Sequence, residues 1–165
     1  MGVQKVNLIK ALLAGAFSLL ALSTSYAAEP HALGSLCTKE FQKALMTEEM
    51  LRIIDTSGKG VITRADYDRY MNKLFDTIDT AHQGVIDQSK FMAIDHTSPN
   101  VWPMELQKAF RSAAMLRLID KSGKGQVTKV AFSDHMGAIF ETLDTNHDGI
   151  LESNEFIYTK AFGPG

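Results

Sequence analysis

Apolar residues in this chain fall into four runs at helical spacing, each broken by a short polar stretch that contains glycine. Phe41, Leu45, Leu51 and Ile54 lead into the first break, and Tyr67, Tyr70, Met71, Leu74, Phe75 and Ile78 run from the first to the second. Phe110, Met115, Leu116 and Ile119 precede the third, and Phe132, Met136, Ile139, Phe140 and Leu143 connect it to the fourth. Spacing by three and four places such residues on one face of a helix, so the pattern predicts helices on both sides of every break. The breaks begin at Asp55, Asp79, Asp120 and Asp144. Residues 67–78 leave room for one helix only, shared by the two breaks beside it.

The N-terminal pattern is different. Residues 11–22 are apolar apart from Ser18, Lys5 and Lys10 lie ahead of them, and Ser25 and Ala27 put small residues at the −3 and −1 positions of a cleavage site. This is the layout of a secretory signal peptide over residues 1–27. The run is well short of the roughly 20 residues that cross a bilayer as a helix. The expectation is an exported chain, periplasmic or secreted, that begins at Ala28 and has no membrane span once processed.

Residues 50–91 align without a gap on residues 115–156. Met50-Leu51-Arg52 matches Met115-Leu116-Arg117, Ile54-Asp55 matches Ile119-Asp120, and Ser57-Gly58-Lys59-Gly60 matches Ser122-Gly123-Lys124-Gly125. Phe75, Asp79, His82, Gly84 and Phe91 match Phe140, Asp144, His147, Gly149 and Phe156. The chain therefore reads as an internal duplication. Repeat 1 covers about residues 40–93 and repeat 2 about residues 104–160, joined by a Pro- and Ser-containing linker over 94–103, all within one domain, 28–165.

The most informative break is 144–155. Asp144, Asn146 and Asp148 at positions 1, 3 and 5 supply side-chain oxygens, and Ile150 at position 7 supplies a backbone carbonyl. Glu152 at position 9 acts directly or through a water, and Glu155 at position 12 closes the set with two carboxylate oxygens. That is the donor set a hard divalent cation such as Ca²⁺ requires, and Gly149 at position 6 permits the sharp bend between the donors. All four breaks keep Asp at position 1, Gly at position 6 (Gly60, Gly84, Gly125, Gly149) and an apolar residue at position 8 (Ile62, Ile86, Val127, Leu151).

On these residues the chain resembles the EF-hand, calmodulin-like superfamily, and in particular the small exported EF-hand proteins of bacteria. The resemblance covers about residues 40–160. It implies an all-α fold of EF-hand helix-loop-helix repeats with short loop-loop β bridges, and calcium as the bound ion. The pattern holds in full only for 144–155. The loop 55–66 has Lys59 at position 5 and closes on Asp66, one methylene short of a bidentate grip. The loop 79–90 has Ala81, Gln83 and Lys90 at positions 3, 5 and 12, and the loop 120–131 has Lys124 at position 5 and Ala131 at position 12. These three are expected to be degenerate, with Lys59 and Lys124 satisfying loop carbonyls in place of the ion; the alternative, for the first loop, is that Lys59 points to solvent while a weak ion binds. Because one shared helix holds its two loops at opposite ends, pairing is expected between the repeats, most simply first with third and second with fourth.

Charge and composition narrow the function further. The chain carries 17 basic and 19 acidic residues, and both lysines of the leader are lost on processing, so nothing favours nucleic acid. Cys37 is the single cysteine, which excludes an internal disulfide. The repeat-equivalent methionines Met50/Met115 and Met71/Met136 fit a core. His82 and His147 stand at loop position 4, facing away from an ion. No nucleophile-base pairing, zinc-ligand spacing or phosphate-binding glycine loop is present, so no enzyme is expected. The reading is a calcium-stabilised adaptor or sensor, with the partner protein left open. A calcium buffer and an enzyme with an unrecognised site are the alternatives.

Overall fold

The computed structural model describes residues 30–96 and 102–158. The leader 1–27, the linker residues 97–101 and the segment 159–165 lie outside the described residues. In chain order come α1 (Pro30–Leu36), α2 (Lys39–Leu45), α3 (Glu48–Ile54), β1 (Ile62–Thr63), α4 (Arg64–Ile78), β2 (Val85–Asp87) and α5 (Gln88–Met92). They are followed by α6 (Met104–Phe110), α7 (Ala113–Ile119), β3 (Gln126–Thr128), α8 (Lys129–Leu143), β4 (Ile150–Leu151) and α9 (Ser153–Phe156). The architecture is mostly helical with two small antiparallel sheets.

Helix starts are set by short oxygen-bearing side chains. Thr47 accepts from Met50 N at 3.1 Å, Thr63 from Asp66 N at 3.1 Å, Asp87 from Lys90 N at 2.9 Å and Thr128 from Ala131 N at 3.1 Å. Each satisfies an amide that has no partner inside its helix. Thr63, Asp87 and Thr128 are also position 9 of the first three loops, so in those loops that side chain starts the following helix.

The helix expected over 67–78 is α4, 15 residues long, and α8 is its counterpart of the same length. At 1.5 Å per residue each spans about 22 Å, far more than the spacing of paired strands. The loops do pair between the two halves of the chain, but the partners differ from the simplest expectation. The first loop pairs with the fourth (Ile62↔Leu151) and the second with the third (Ile86↔Val127). The reason is the direction of the long helices. β1 precedes α4 and β4 follows α8, so α4 and α8 run antiparallel, bringing the start of one to the end of the other.

A reciprocal clamp fixes that arrangement. Arg64, first residue of α4, lies over the Phe140 ring with Cζ 5.2 Å from its centroid and pairs with Glu141. Lys129, first residue of α8, lies over Phe75 at 5.8 Å and pairs with Asp76 at 2.9 Å. Each cation thus uses its stem and charge on the last turns of the opposite helix, where the helix dipole also favours it. Gly137 makes room for the first of these, because a Cβ there would stand 2.9 Å from Arg64 Nη2.

Beneath the helices Phe110 is the hub of the core, with ring centroids of Phe41, Phe91, Trp102 and Phe132 at 5.4, 5.1, 5.4 and 5.9 Å. Burying each such ring contributes about 1.5–3 kcal/mol. Met46, Met50, Met71, Met115 and Met136 are buried among them, as a core role requires, while Met92 is exposed. Trp102, at the end of the expected linker, is part of this core rather than of a solvated connection. Gln107 ties the other side of that connection, accepting from Asp95 N at 2.9 Å and donating to Asp95 O at 2.6 Å. Pro103 precedes α6 as its cap, one position earlier than a first-turn proline. Cys37 is buried, and burial pushes its thiol up to about 12, which leaves it unreactive.

Candidate metal centre

The residues 144–155 leave the C-terminus of α8, turn, enter β4 and finish in α9. Asp144 caps α8, with its N–H on Phe140 O at 2.9 Å. His147 and Gly149 take φ of 58° and 79°, which folds the acidic side chains of the loop back on themselves. His147 is exposed, like His82 in the second loop. Pairing of β4 with β1 holds the far side, with Arg64 N on Gly149 O at 3.0 Å.

Within this frame the expected donors share one hydrogen-bonded loop. Asp144 Oδ2 accepts from Gly149 N at 2.9 Å and Oδ1 from Asp148 N at 3.2 Å. Asn146 Oδ1 accepts from Asp148 N at 3.0 Å, its Nδ2 donates to Asp148 Oδ2 at 3.1 Å, and Asp148 Oδ1 accepts from Ile150 N at 2.9 Å. Glu155 Oε1 accepts from Thr145 Oγ1 at 2.7 Å, from Thr145 N at 2.9 Å and from Asn146 N at 3.4 Å, while Oε2 takes Glu152 N at 3.2 Å.

Asp144 and Glu155 are only 2% and 5% exposed. Two buried carboxylates with amides and a hydroxyl as partners, and no cationic side chain among those bonds, form a site that favours a positive ion. The electrostatics of Glu152 agree. Its carboxyl is raised above the ordinary range by desolvation, then by the bond to Glu155 and the charges of Glu155, Asp148 and Asp144. Burial would raise Glu155 as well, but the hydrogen bonds from Thr145 and the amides of Glu152, Thr145 and Asn146 outweigh it and hold the group low, ionised at neutral pH.

By oxygen type and order, Asp144, Asn146, Asp148, the Ile150 carbonyl, Glu152 and Glu155 fit a hard divalent cation. Their carboxylates rest on backbone amides, and among the described residues no three His, Cys, Asp or Glu side chains already form a cage. Ligation therefore requires Glu155 to exchange its Thr145 contacts for the ion. Thr145 was not singled out by the sequence pattern. Its signal lay in position 2, where Thr56 of the first loop bonds the closing Asp66 at 2.5 Å in the same way.

In the other loops the opening carboxylates are likewise held by hydroxyls and amides. Asp55 Oδ1 accepts from Ser57 Oγ at 2.8 Å and Oδ2 from Gly60 N at 2.7 Å. Asp120 accepts from Ser122 Oγ at 2.6 Å and Gly125 N at 2.7 Å. The serine hydroxyls, led by Ser57 for Asp55 and by Ser122 for Asp120, hold both carboxyls below the usual range. Lys59 and Lys124 are exposed. Asp66 is engaged by Thr56, by Thr63 at 2.6 Å and by Arg69. In the second loop burial would raise Asp79, but the amides of Gln83 at 3.1 Å and Gly84 at 2.7 Å, and then the charges of His82 and Lys90, outweigh it and hold the carboxyl low.

A family model of the EF hand matches residues 136–157, which are the second half of α8, the whole loop and α9. The segment is thus similar to an EF-hand unit, and the match supports calcium binding at the loop whose geometry is described above. No curated protein matches the chain.

Proposed function

We propose that the chain is an exported calcium-binding protein, internally duplicated, in which 144–155 is the one complete loop and the other three are degenerate. It binds one calcium ion through Asp144, Asn146, Asp148, the Ile150 carbonyl, Glu152 and Glu155, and acts by binding rather than by catalysis, as a calcium-stabilised adaptor or sensor for another protein. The observation that carries this reading is the pair of buried carboxylates, Asp144 and Glu155, at the two ends of a loop whose every donor position holds an oxygen. In the remaining loops Ser57, Ser122, Arg69 and the amides of Gln83 and Gly84 supply donors and charge to the carboxylates that an ion would otherwise engage.

Calorimetric titration of the processed chain with calcium is the test, with one site per chain as the expected stoichiometry. Glu155→Gln removes the charge and the second acidic oxygen together and is expected to abolish the heat of binding. An unchanged titration in that variant places the ion elsewhere. Mass spectrometry of exported material, with Ala28 as the expected first residue, tests the localisation.

A further inference from the structure

The connection between α5 and α6 holds a second built site, far in chemistry from the acidic loop. Arg111 closes α6, is only 6% exposed, and its Nε is buried without a hydrogen-bond partner. Its guanidinium lies over the Trp102 ring at 5.8 Å. Burial pushes the group below its ordinary value, and the charge of Asp95 only partly opposes this. A buried cation with an unmet N–H is a costly feature to keep in a fold.

The fold does not need it. Met46 occupies the corresponding place at the end of α2, with φ −87° and ψ 60° against −76° and 50° for Arg111. Both residues donate their N–H to a glutamine four residues back, Gln42 O and Gln107 O, at 2.8 Å. Both are followed by a helix capped by a hydroxyl, from Thr47 and from Ser112. An unbranched apolar side chain therefore satisfies the same turn, and the charge of Arg111 calls for another reason.

That reason opens beside it. Arg111 lines a cavity of about 440 Å³ together with Lys90, Asp95 and Thr80, and Ile78 and Ile94 supply an apolar wall. We infer that this cavity binds a monocarboxylate with a short apolar tail, the carboxylate on Arg111 and Lys90 and the tail against Ile78 and Ile94. A guanidinium presents parallel N–H groups that match the two oxygens of a carboxylate. The positive charge of Arg111 and Lys90 is offset in part by Asp95 at the cavity and by Asp79 beside Lys90, which suits a monoanion and disfavours a phosphate dianion. Such a carboxylate comes from a free short-chain acid or from the C-terminus of a peptide.

The test is a titration of the full processed chain, calcium-free, followed by amide shifts at Thr80, Ala93 and Ile94 and by the Arg111 Nε–H signal. Sodium butyrate is expected to give saturable shifts at these positions, and butyramide none. Acetyl-Ala-Ala-Leu as the free acid identifies the source: saturation at lower concentration than butyrate assigns a peptide terminus, and the reverse assigns a small acid. Arg111→Met is expected to fold, since Met46 serves the same turn, and to lose about tenfold or more in affinity with the charge-assisted pair removed. Lys90→Gln, which leaves the core untouched, is expected to weaken binding a few-fold and serves if Arg111→Met does not fold. Shifts that fail to saturate with either acid, equal shifts with butyramide, or undiminished binding in the variants overturn the proposal.

Discussion

At the scale of single residues, the balance at Glu155 decides how the loop works. Thr145 holds Oε1 with its hydroxyl at 2.7 Å and its amide at 2.9 Å, and an entering cation must compete with both. Thr145→Val removes the hydroxyl alone. It is expected to lower the calcium-free stability by about 1 kcal/mol and, because the ion-bound state has no use for that bond, to tighten calcium binding about fivefold; calorimetry and melting on the same variant measure both. Titratable residues add a pH dependence with two stages. His135, buried in α8 with Nε2 2.7 Å from Leu36 O, is held below its ordinary value by desolvation, with that bond opposing and Lys121 assisting. The unfolded chain therefore takes up this proton first, so the contribution of neutral His135 is complete above about pH 6.5 and is lost as pH falls from there toward the folded value. The carboxyls of Asp55, Asp87 and Asp120 are depressed, first by Ser57, Ser89 and Ser122 respectively. Their contribution is whole above about pH 4 and is lost below it. Melting temperature against pH should thus decline in two steps. His135→Gln, which can still donate to Leu36 O, should remove the upper step only, and a decline near pH 6 that survives this change would assign it to another group.

At the scale of elements, the antiparallel contact of α4 and α8 sets which loops meet. Gly137 is a weak residue for a helix interior, by about 1 kcal/mol relative to alanine, and Arg64 Nη2 fills the space that a Cβ would need. Gly137→Ala alone is expected to be close to neutral, as the gain in helix preference is offset by displacing the guanidinium from Phe140 and Glu141. In an Arg64→Met background the same change should stabilise by about 1 kcal/mol, and a double-mutant cycle in denaturant reads the difference as coupling. Strict additivity would show that the arginine does not sit against Gly137 in solution. This contact also explains what the sequence revealed and what it hid. The helix shared by two loops is visible in the spacing from Tyr67 to Ile78, because that spacing directly reports one buried face. The donor order from Asp144 to Glu155 is equally visible, since ligation by a short loop is a local property. The choice of loop partners is not. Ile62, Ile86, Val127 and Leu151 are all fully buried apolar residues at position 8, interchangeable as strand partners. The decision lies in the antiparallel packing of α4 on α8, where Tyr67 meets Phe140 and Phe75 meets Phe132, with the ion pairs of Arg64 with Glu141 and Lys129 with Asp76 adding to it, all pairs distant in sequence. Trp102 was hidden for a related reason, since its proline- and asparagine-rich surroundings look like linker while its ring joins the core at Phe110.

At the scale of the whole molecule, the same arrangement limits how far calcium can move anything. In a groove-opening sensor, ligation by the closing glutamate swings the flanking helices apart. Here the helix that enters the loop is α8, which also leaves the third loop, packs along α4 and carries α1 through His135. Swinging it would break the Arg64 and Lys129 clamps and strain the β2–β3 pairing, with no new ligation at Ala131 to offset the loss. The helix that follows is α9, four residues long, held at its end by Tyr158 N on Met46 O at 2.8 Å. It offers little apolar surface to expose. What ligation can do is add binding energy to the folded state and rigidify β4 against β1. At a free calcium concentration 100-fold above the dissociation constant the gain is about 2.7 kcal/mol, a large share of the 5–15 kcal/mol that about spans domain stabilities. Calcium is therefore expected to raise the melting temperature clearly and to leave the fluorescence of a hydrophobic dye almost unchanged, with both read on one sample. Glu155→Gln should lose the melting shift and keep the low dye signal. Strong calcium-induced dye binding without a melting shift would instead mean that α8 does swing, that the clamps yield to the ion, and that the molecule works by exposing its core.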